Sequence, residues 1–369
     1  MDAVMDYRPA LRERSGVGEY VHELARHVAV RLNGGDSLTL FSASWRDRLD
    51  ADAVPGARVV DRRLPVRALN LAWHRLQWPP IERVAGRAFD IVHSAHPLLT
   101  PSRRGARFVT VHDLDFLDHP ERTSREIRRD YPALARVHAQ RASRVVVSSR
   151  ATADEVETRL GVDPSRIVLC PAGAPEWAAA VPADGPKQHV LFLGTIEPRK
   201  NIDGLLDAWM QVIAAGGDAL PLVLAGRAAP ESAPTLARLT APPLAGRVRH
   251  LGYVSDADRR QLYRDAAALI VPSFHEGFGL TALEAMAAGV PVVAANRGSL
   301  PELVGDAALL VDPTDSAGMA RAIASAAFDP AARARLTPAG RARAARYCWG
   351  ESADRLIAAY RAAASEPSA

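Results

Sequence analysis

Apolar and polar positions switch between two periods along the second half of the chain. His189–Leu193 (HVLFL) is a short apolar run that stops at Gly194. Over Ile202–Ala214 the period becomes helical, with Leu205, Leu206, Trp209, Val212 and Ile213 on one face. Short apolar runs recur at 222–224, 248–251, 268–271 and 292–294, and helical patterns at 257–266 and 281–288. Gly289 and then Pro291 close the last helix in the usual stop order. Strands alternating with helices and ended by glycine turns predict βαβ units on a parallel, doubly wound α/β sheet.

The first half carries the same pattern with weaker contrast. Runs at 38–41, 59–60, 90–93, 108–111 and 145–147 read as strands, and 20–32 (YVHELARHVAVRL) as an amphipathic helix. The opening strand, 3–6, is short and marks the chain start poorly. Residues 174–186 (APEWAAAVPADGP), rich in Pro and Ala, read as a linker between a domain at 1–173 and one at 187–345. Within 346–369, Leu356, Ile357 and Tyr360 share one face of a terminal helix that is expected to pack back on the first domain. At 369 residues, two domains are also what chain length favours.

Composition adds little to this: 48% apolar and 24% charged residues are those of an ordinary soluble globular protein. Charge is uneven. Residues 1–175 hold 27 Lys and Arg against 22 Asp and Glu, and the remainder 19 against 20. The basic half suits an anionic or membrane-borne partner, or simply a solvated surface. Cys170 and Cys348 are too few and too far apart for a metal or disulfide framework, which points to a reducing cytoplasm. The N-terminus is too charged for a signal peptide, and no run reaches transmembrane length.

In open α/β sheets, ligands bind beyond the carboxyl ends of the strands. Three glycine turns stand there: Gly194-Thr195, Gly226-Arg227 and 276–279. In the last of these, Gly277, Phe278 and Gly279 lead into a helix that begins near Leu280, and Gly277 and Gly279 let backbone N–H groups approach a ligand. The unpaired N–H groups and dipole of that helix favour an anion such as a diphosphate. Glu276 and Glu284 flank that position, and a carboxylate can accept two hydrogen bonds from a vicinal diol. The structural alternative has Glu276 capping the helix and Glu284 on the surface. Arg199 and Lys200 follow Gly194 as adjacent cations able to neutralise a leaving diphosphate. Their alternative is a solvated pair at a helix start capped by Asn201, a position where the dipole disfavours cations. His112 ends a strand of the first domain and could hydrogen-bond a sugar hydroxyl or serve structure alone. His93 and His96 are the weaker candidates. Gly16 and Gly18 precede a helix without forming a GxGxxG, so nicotinamide binding is not supported, although such a turn can receive a phosphate or a sugar.

Taken together, these segments resemble the retaining glycosyltransferases of family 4, whose GT-B architecture sets two Rossmann-like domains across a cleft. PSFHEGFGLTALEAMAAGVPVVAA resembles the family's E-x7-E signature and GTIEPRKN its diphosphate site. RVRHLGYVSDADRRQLYRDA resembles the segment whose turn, at Val254, holds the nucleobase. SGVGEY is similar to the family's glycine loop, VTVHDL to its active-site histidine segment, and VVVSSRATADEVETRLGVDPSRIVLCPAG to the element closing the first domain. The resemblance implies that Glu276 contacts the donor sugar, Glu284 the ribose hydroxyls, and Arg199 with Lys200 the diphosphate. It further implies that His112 sits beside the sugar, that Gly16 and Gly18 allow close approach, that no metal or cofactor is used, and that retention proceeds on one face. Many members carry Arg where this chain has Thr195. The Arg199-Lys200 pair is the pattern of mannosyltransferase-like and rhamnosyltransferase-like subgroups, which makes GDP-mannose the first choice of donor.

The implied acceptor is a glycan or a lipid-linked glycan, with no role for nucleic acid. Residues 122–150 carry eight arginines against two acidic residues, and family members acting on lipid-linked glycans dock on the inner leaflet through basic surfaces of the first domain. A peripheral contact with anionic membrane is therefore expected, against the alternative of a solvated helix face. The competing functional readings are a GT-B epimerase and a non-catalytic nucleotide-sugar-binding subunit. The full set of glutamates, cations and His112 argues against both. A phosphorylase would need a lysine-bound pyridoxal phosphate, and the chain has only Lys187 and Lys200.

Overall fold

A computed structural model describes residues 1–11, 16–123, 125–180, 185–216 and 220–366. Ser15, in the glycine-loop segment, and residues 181–184 of the Pro/Ala-rich stretch lie outside the described residues. The chain divides into two compact units, Met1–Ala172 with Cys348–Ala369, and Gly173–Tyr347.

The first unit is built on seven parallel strands: β1 (Asp2–Asp6), β2 (Ser37–Ala43), β3 (Arg58–Arg62), β4 (Ile91–Ser94), β5 (Ala106–Val111), β6 (Arg144–Val147) and β7 (Ile167–Leu169). Their spatial order is β3-β2-β1-β4-β5-β6-β7. The chain winds one way from β1 to β3 and the other way from β4 onward, so the direction reverses between β1 and β4. In register, Met5 of β1 pairs with Leu40 of β2 and His93 of β4.

Helix Trp349–Ser365 returns to this unit. Its buried face, with Leu356, Ile357 and Tyr360, packs against β4, β7 and helix Gly16–Arg31. The Trp349 ring lies 5.5 Å from that of Tyr20 and stacks on His27. Each large apolar side chain removed from water here contributes roughly 1.5–3 kcal/mol.

The second unit holds six parallel strands: β8 (His189–Leu193), β9 (Leu222–Ala225), β10 (Val248–Gly252), β11 (Ala266–Val271), β12 (Val292–Ala295) and β13 (Leu309–Val311). The order is β10-β9-β8-β11-β12-β13, with the reversal between β8 and β11. All six residues of β11 are buried, as expected for a central parallel strand covered on both faces. Helix Ile202–Ala214 buries Leu205, Leu206, Trp209 and Val212 against the sheet and helix Ser316–Phe328.

Several predicted boundaries are corrected: the helix expected at 20–32 is Gly16–Arg31, the strand expected at 90–93 is Ile91–Ser94, and the helix expected at 281–288 is Leu280–Ala287. The helix expected at 257–266 is Asp256–Asp265, and Ala266 already belongs to β11. The start of the stretch read as a linker forms a 3-10 turn, Glu176–Ala180, whose Trp177 stacks on Tyr263 within the second unit. Among the described residues no helix is long and apolar enough to cross a membrane.

Candidate functional site

The second sheet places its glycine turns side by side. The Gly194 N–H donates to the Ala225 carbonyl, and the Gly226 N–H to the Gly252 carbonyl, so the turns after β8, β9 and β10 are stitched together. Gly226 has φ 140°, and a Cβ there would run into the Gly194 carbonyl. Glycine is therefore required by the close approach of two backbones.

Arg199 and Lys200 follow β8, and Glu276 follows β11, so all three stand where the strand order reverses. This is the position at which doubly wound sheets bind ligands. Lys200 Nζ donates to Glu276 Oε1 at 2.6 Å, and Ser273 Oγ donates to the same oxygen at 2.6 Å. Arg199 Nη1 lies 3.6 Å from Glu276 Oε2 and donates to the His275 carbonyl at 2.9 Å, while its Nη2 donates to Glu197 at 2.9 Å. The Phe274 N–H closes the arrangement by donating to the Arg199 carbonyl. Burial works to raise the Glu276 pKa, but Lys200 and then Arg199 outweigh it and hold the carboxyl at about 2.

Neither alternative reading of these residues survives. Glu276 does not cap the following helix, Leu280–Ala287. That position belongs to Gly279 at φ 101°, whose missing Cβ makes room for Leu300 and Leu303. Asn201 precedes helix Ile202–Ala214, but its side-chain amide donates to the Pro272 and Pro313 carbonyls instead of capping. Nor is Glu284 a surface residue: it is 3% exposed. Arg259 Nη1 donates to its Oε1 and the Tyr263 hydroxyl to its Oε2, both at 2.8 Å. Phe278 turns its ring edge-on to Tyr347. Val254 follows Gly252 at the end of β10, next to Tyr253, over whose ring Arg227 lies at 5.3 Å.

In the first unit, His112 follows β5. Its Nε2 donates to the Ala95 carbonyl at 3.2 Å, which leaves Nδ1 as the acceptor, and its ring meets Tyr20 edge-on at 5.3 Å. Burial lowers its pKa against the opposing pull of Asp113, so it is neutral at pH 7. His93 is structural: Nδ1 bonds the Tyr360 hydroxyl at 2.5 Å and Nε2 the Thr110 hydroxyl at 2.8 Å, tying the terminal helix to the sheet. Gly16 is open on the side a Cβ would occupy, whereas Gly18 abuts the Pro9 carbonyl, so packing demands its glycine.

The first sheet's own reversal point holds Asp6 and Arg8, which the sequence reading did not single out. Asp6 ends β1 and takes a two-pronged contact from Arg8, at 2.8 and 2.6 Å, with His96 3.5 Å away. Burial works to raise the Asp6 pKa, but Arg8 and His96 hold the carboxyl well below the carboxylate range. The signal available was an acidic residue closing a strand with an Arg two positions later. Arg259 and Tyr263 were missed as well, although four-residue spacing puts them on one helix face.

Comparison with known proteins places the chain by family and fold. The model for glycosyl transferases group 1 matches residues 174–343, and that for glycosyltransferase family 4 matches residues 14–175. An O-antigen chain mannosyltransferase B of Escherichia coli is 29% identical, over 98% of this chain and 100% of its own. A D-inositol 3-phosphate glycosyltransferase of Rhodococcus opacus strain B4 is 31% identical, over 74% of this chain and 62% of its own. Sucrose-phosphate synthase from Thermosynechococcus elongatus has the same fold, with a TM-score of 0.76 at 23% identity over 98% of each chain. Matched by these two models from residue 14 to residue 343, the chain belongs to glycosyltransferase family 4 and has the GT-B fold.

Proposed function

We propose that the chain is a retaining, metal-independent hexosyltransferase that takes mannose from GDP-mannose. The observation that carries this reading is the Arg199–Lys200–Glu276 cluster at the reversal point of the second sheet. A diphosphate enters beside the N-terminus of helix Leu280–Ala287. Lys200 has three donor hydrogens and can serve the phosphate while keeping Glu276. Arg199 and Lys200 supply the positive charge that a divalent cation would otherwise bring to the departing diphosphate. Glu276, held ionised, accepts a hydrogen bond from the sugar, and Glu284 accepts from the ribose. As the bond from sugar to diphosphate breaks, the acceptor hydroxyl bonds on the same face and gives its proton to the leaving phosphate oxygen. Neutral His112 of the first unit offers Nδ1 as an acceptor for a sugar hydroxyl. Mannose is favoured because the relative of full-length overlap is named as a mannosyltransferase of the O-antigen chain.

The acceptor in this reading is a glycan or a lipid-linked glycan. We also propose a cytoplasmic setting and a peripheral contact with anionic lipid through residues 122–150. Arg125, Arg128 and Arg129 stand near one end of helix Arg125–Arg141, and Arg75 reaches the same helix through Asp130. Clustered cations near an anionic bilayer gain about 1 kcal/mol each. Co-sedimentation with liposomes that is independent of anionic lipid content would remove the membrane contact.

Transfer from GDP-α-mannose to a mannose-terminated oligosaccharide, run in EDTA and read by NMR, tests the chemistry. An α-linked product formed without metal is expected. A β-linked product would refute retention, and activity abolished by EDTA but restored by a divalent cation would refute metal independence.

A further inference from the structure

Large apolar side chains left in water are concentrated in one stretch of the first unit. Leu71, Leu76 and Trp78 are 44%, 71% and 57% exposed, and no other run of eight described residues holds three such side chains. They belong to a helical segment, Val66–Leu71 continued by a wider turn at Ala72–Leu76, and to the residues just after it. The segment is anchored from below. Leu69 and Trp73 are buried in one core cluster with Phe41, and the Trp73 indole N–H donates to the Pro79 carbonyl at 2.9 Å. The five-residue spacing of Leu71 and Leu76 matches one turn of a helix with i→i+5 bonds, and Trp73 between them points into the core. Residues 63–81 hold three arginines and no acidic residue, and Arg63, Arg67 and Arg75 are all exposed. Arg75 donates to Asp130 and to the Arg129 carbonyl, which joins the segment to helix Arg125–Arg141.

We propose that residues 66–78 form a membrane-insertion element: Leu71, Leu76 and Trp78 enter the boundary between headgroups and acyl chains of an anionic bilayer, while Arg63, Arg67 and Arg75 stay level with the lipid phosphates. The proposal rests on the peripheral contact proposed above and adds to it an apolar component that the arginines of 122–150 do not supply. Single apolar side chains on a surface need no partner, but a cluster of them rimmed by polar groups marks an interaction site. The chemistry of the rim selects the occupant. Leucines and an indole beside arginines suit the headgroup region, where the amphipathic ring is at home and cations meet anionic lipid. Arg83 lies over the Trp78 ring at 5.8 Å and adds a fourth cation to the rim. A second copy docked through the same patch is disfavoured, because a two-fold contact pairs a surface with itself and would set arginines against arginines.

The test uses the whole protein with vesicles of phosphatidylcholine, alone or mixed with phosphatidylglycerol. It is read by co-sedimentation and by quenching of tryptophan fluorescence with lipids brominated on their acyl chains. Wild type should bind the anionic vesicles and be quenched, and Trp78→Phe should still bind but lose most of the quenching. Leu71→Asp combined with Leu76→Asp should weaken binding about tenfold. If that double variant fails to fold, the difference between wild type and Trp78→Phe carries the test. Equal quenching in Trp78→Phe, or full affinity kept by the double variant, overturns insertion and leaves the electrostatic contact standing. No binding of wild type to anionic vesicles removes the contact and the insertion together. A wild-type dimer in sedimentation velocity that the double variant splits would assign the patch to a second copy and overturn the proposal.

Discussion

At the scale of single residues, Glu276 is the point on which the donor reading turns, because its charge is maintained against burial. Its folded-state pKa of about 2 lies below the ordinary 4.5. The sign follows directly: its contribution to stability is present above pH 4.5 and is lost as pH falls toward 2. Glu276 therefore stays ionised through the neutral range, and an acid limb of the rate profile between pH 5 and 7 has to come from another group. Glu276→Gln keeps the shape and removes the charge. Turnover reduced by roughly 100-fold, with nucleotide affinity changed much less, is expected from steady-state kinetics and calorimetry. The backbone behind this carboxylate is equally constrained. Gly298 sits at φ 57°, and a Cβ there would stand 2.7 Å from the Glu276 carbonyl oxygen. Gly298→Ala should cost about 1–3 kcal/mol in denaturant unfolding and weaken donor binding; an unchanged midpoint and affinity would contradict that account. The positions of Arg199, Lys200 and Glu276 beyond strand ends, and of Glu284 on the helix that follows, were legible in the sequence. Gly298 was not, because the contact that requires a glycine there is 22 residues away in sequence and appears only on folding.

At the scale of elements, the central strands and the strongly amphipathic helices could be read from the chain. Residues such as Val190, Leu224 and Ile270 are buried on both faces of their sheet and leave uninterrupted apolar runs. The two edge strands β7 and β13 were not recognised as strands: each has three residues, none fully buried. Helix Pro330–Ala344 escaped for another reason. Its buried face is Ala332, Leu336, Gly340 and Ala344, a stripe of small residues that gives almost no apolar contrast. Gly340 lies close against Met286, so closeness of approach replaces bulk. Helix Asp256–Asp265 is short and polar, and its cap matters correspondingly. Ser255 Oγ accepts the Asp258 N–H at 3.2 Å. Ser255→Ala should lower stability by about 1 kcal/mol. A variant with wild-type stability in urea titration would show that the cap contributes nothing.

At the scale of the whole molecule, the two units differ in how they meet acid. His74, His93 and His138 all lie in the first unit and are buried. Burial, with the neighbouring basic groups and against the pull of Asp130 on His74 and Asp6 on His93, lowers their pKa values to about 3, about 3 and about 4. For each, the unfolded chain takes up a proton that the folded one resists. Stability from these groups is complete above pH 6.5 and is lost progressively as pH falls toward 3. The first unit should therefore melt at lower temperature as pH drops from 7 to 5, tracked through hydrogen exchange at β4 and the terminal helix, while exchange at β11 changes less. A uniform response in both units would contradict this. The functional account itself rests on a nucleoside-diphosphate site built by the second unit. Its most direct test is calorimetric titration of GDP, UDP, ADP and dTDP in EDTA into wild type and Lys200→Ala. Binding of one nucleotide, with GDP the first choice, weakened about tenfold by Lys200→Ala (roughly 1.4 kcal/mol), is the predicted result. No binding by any of the four, or equal binding by the variant, would contradict it.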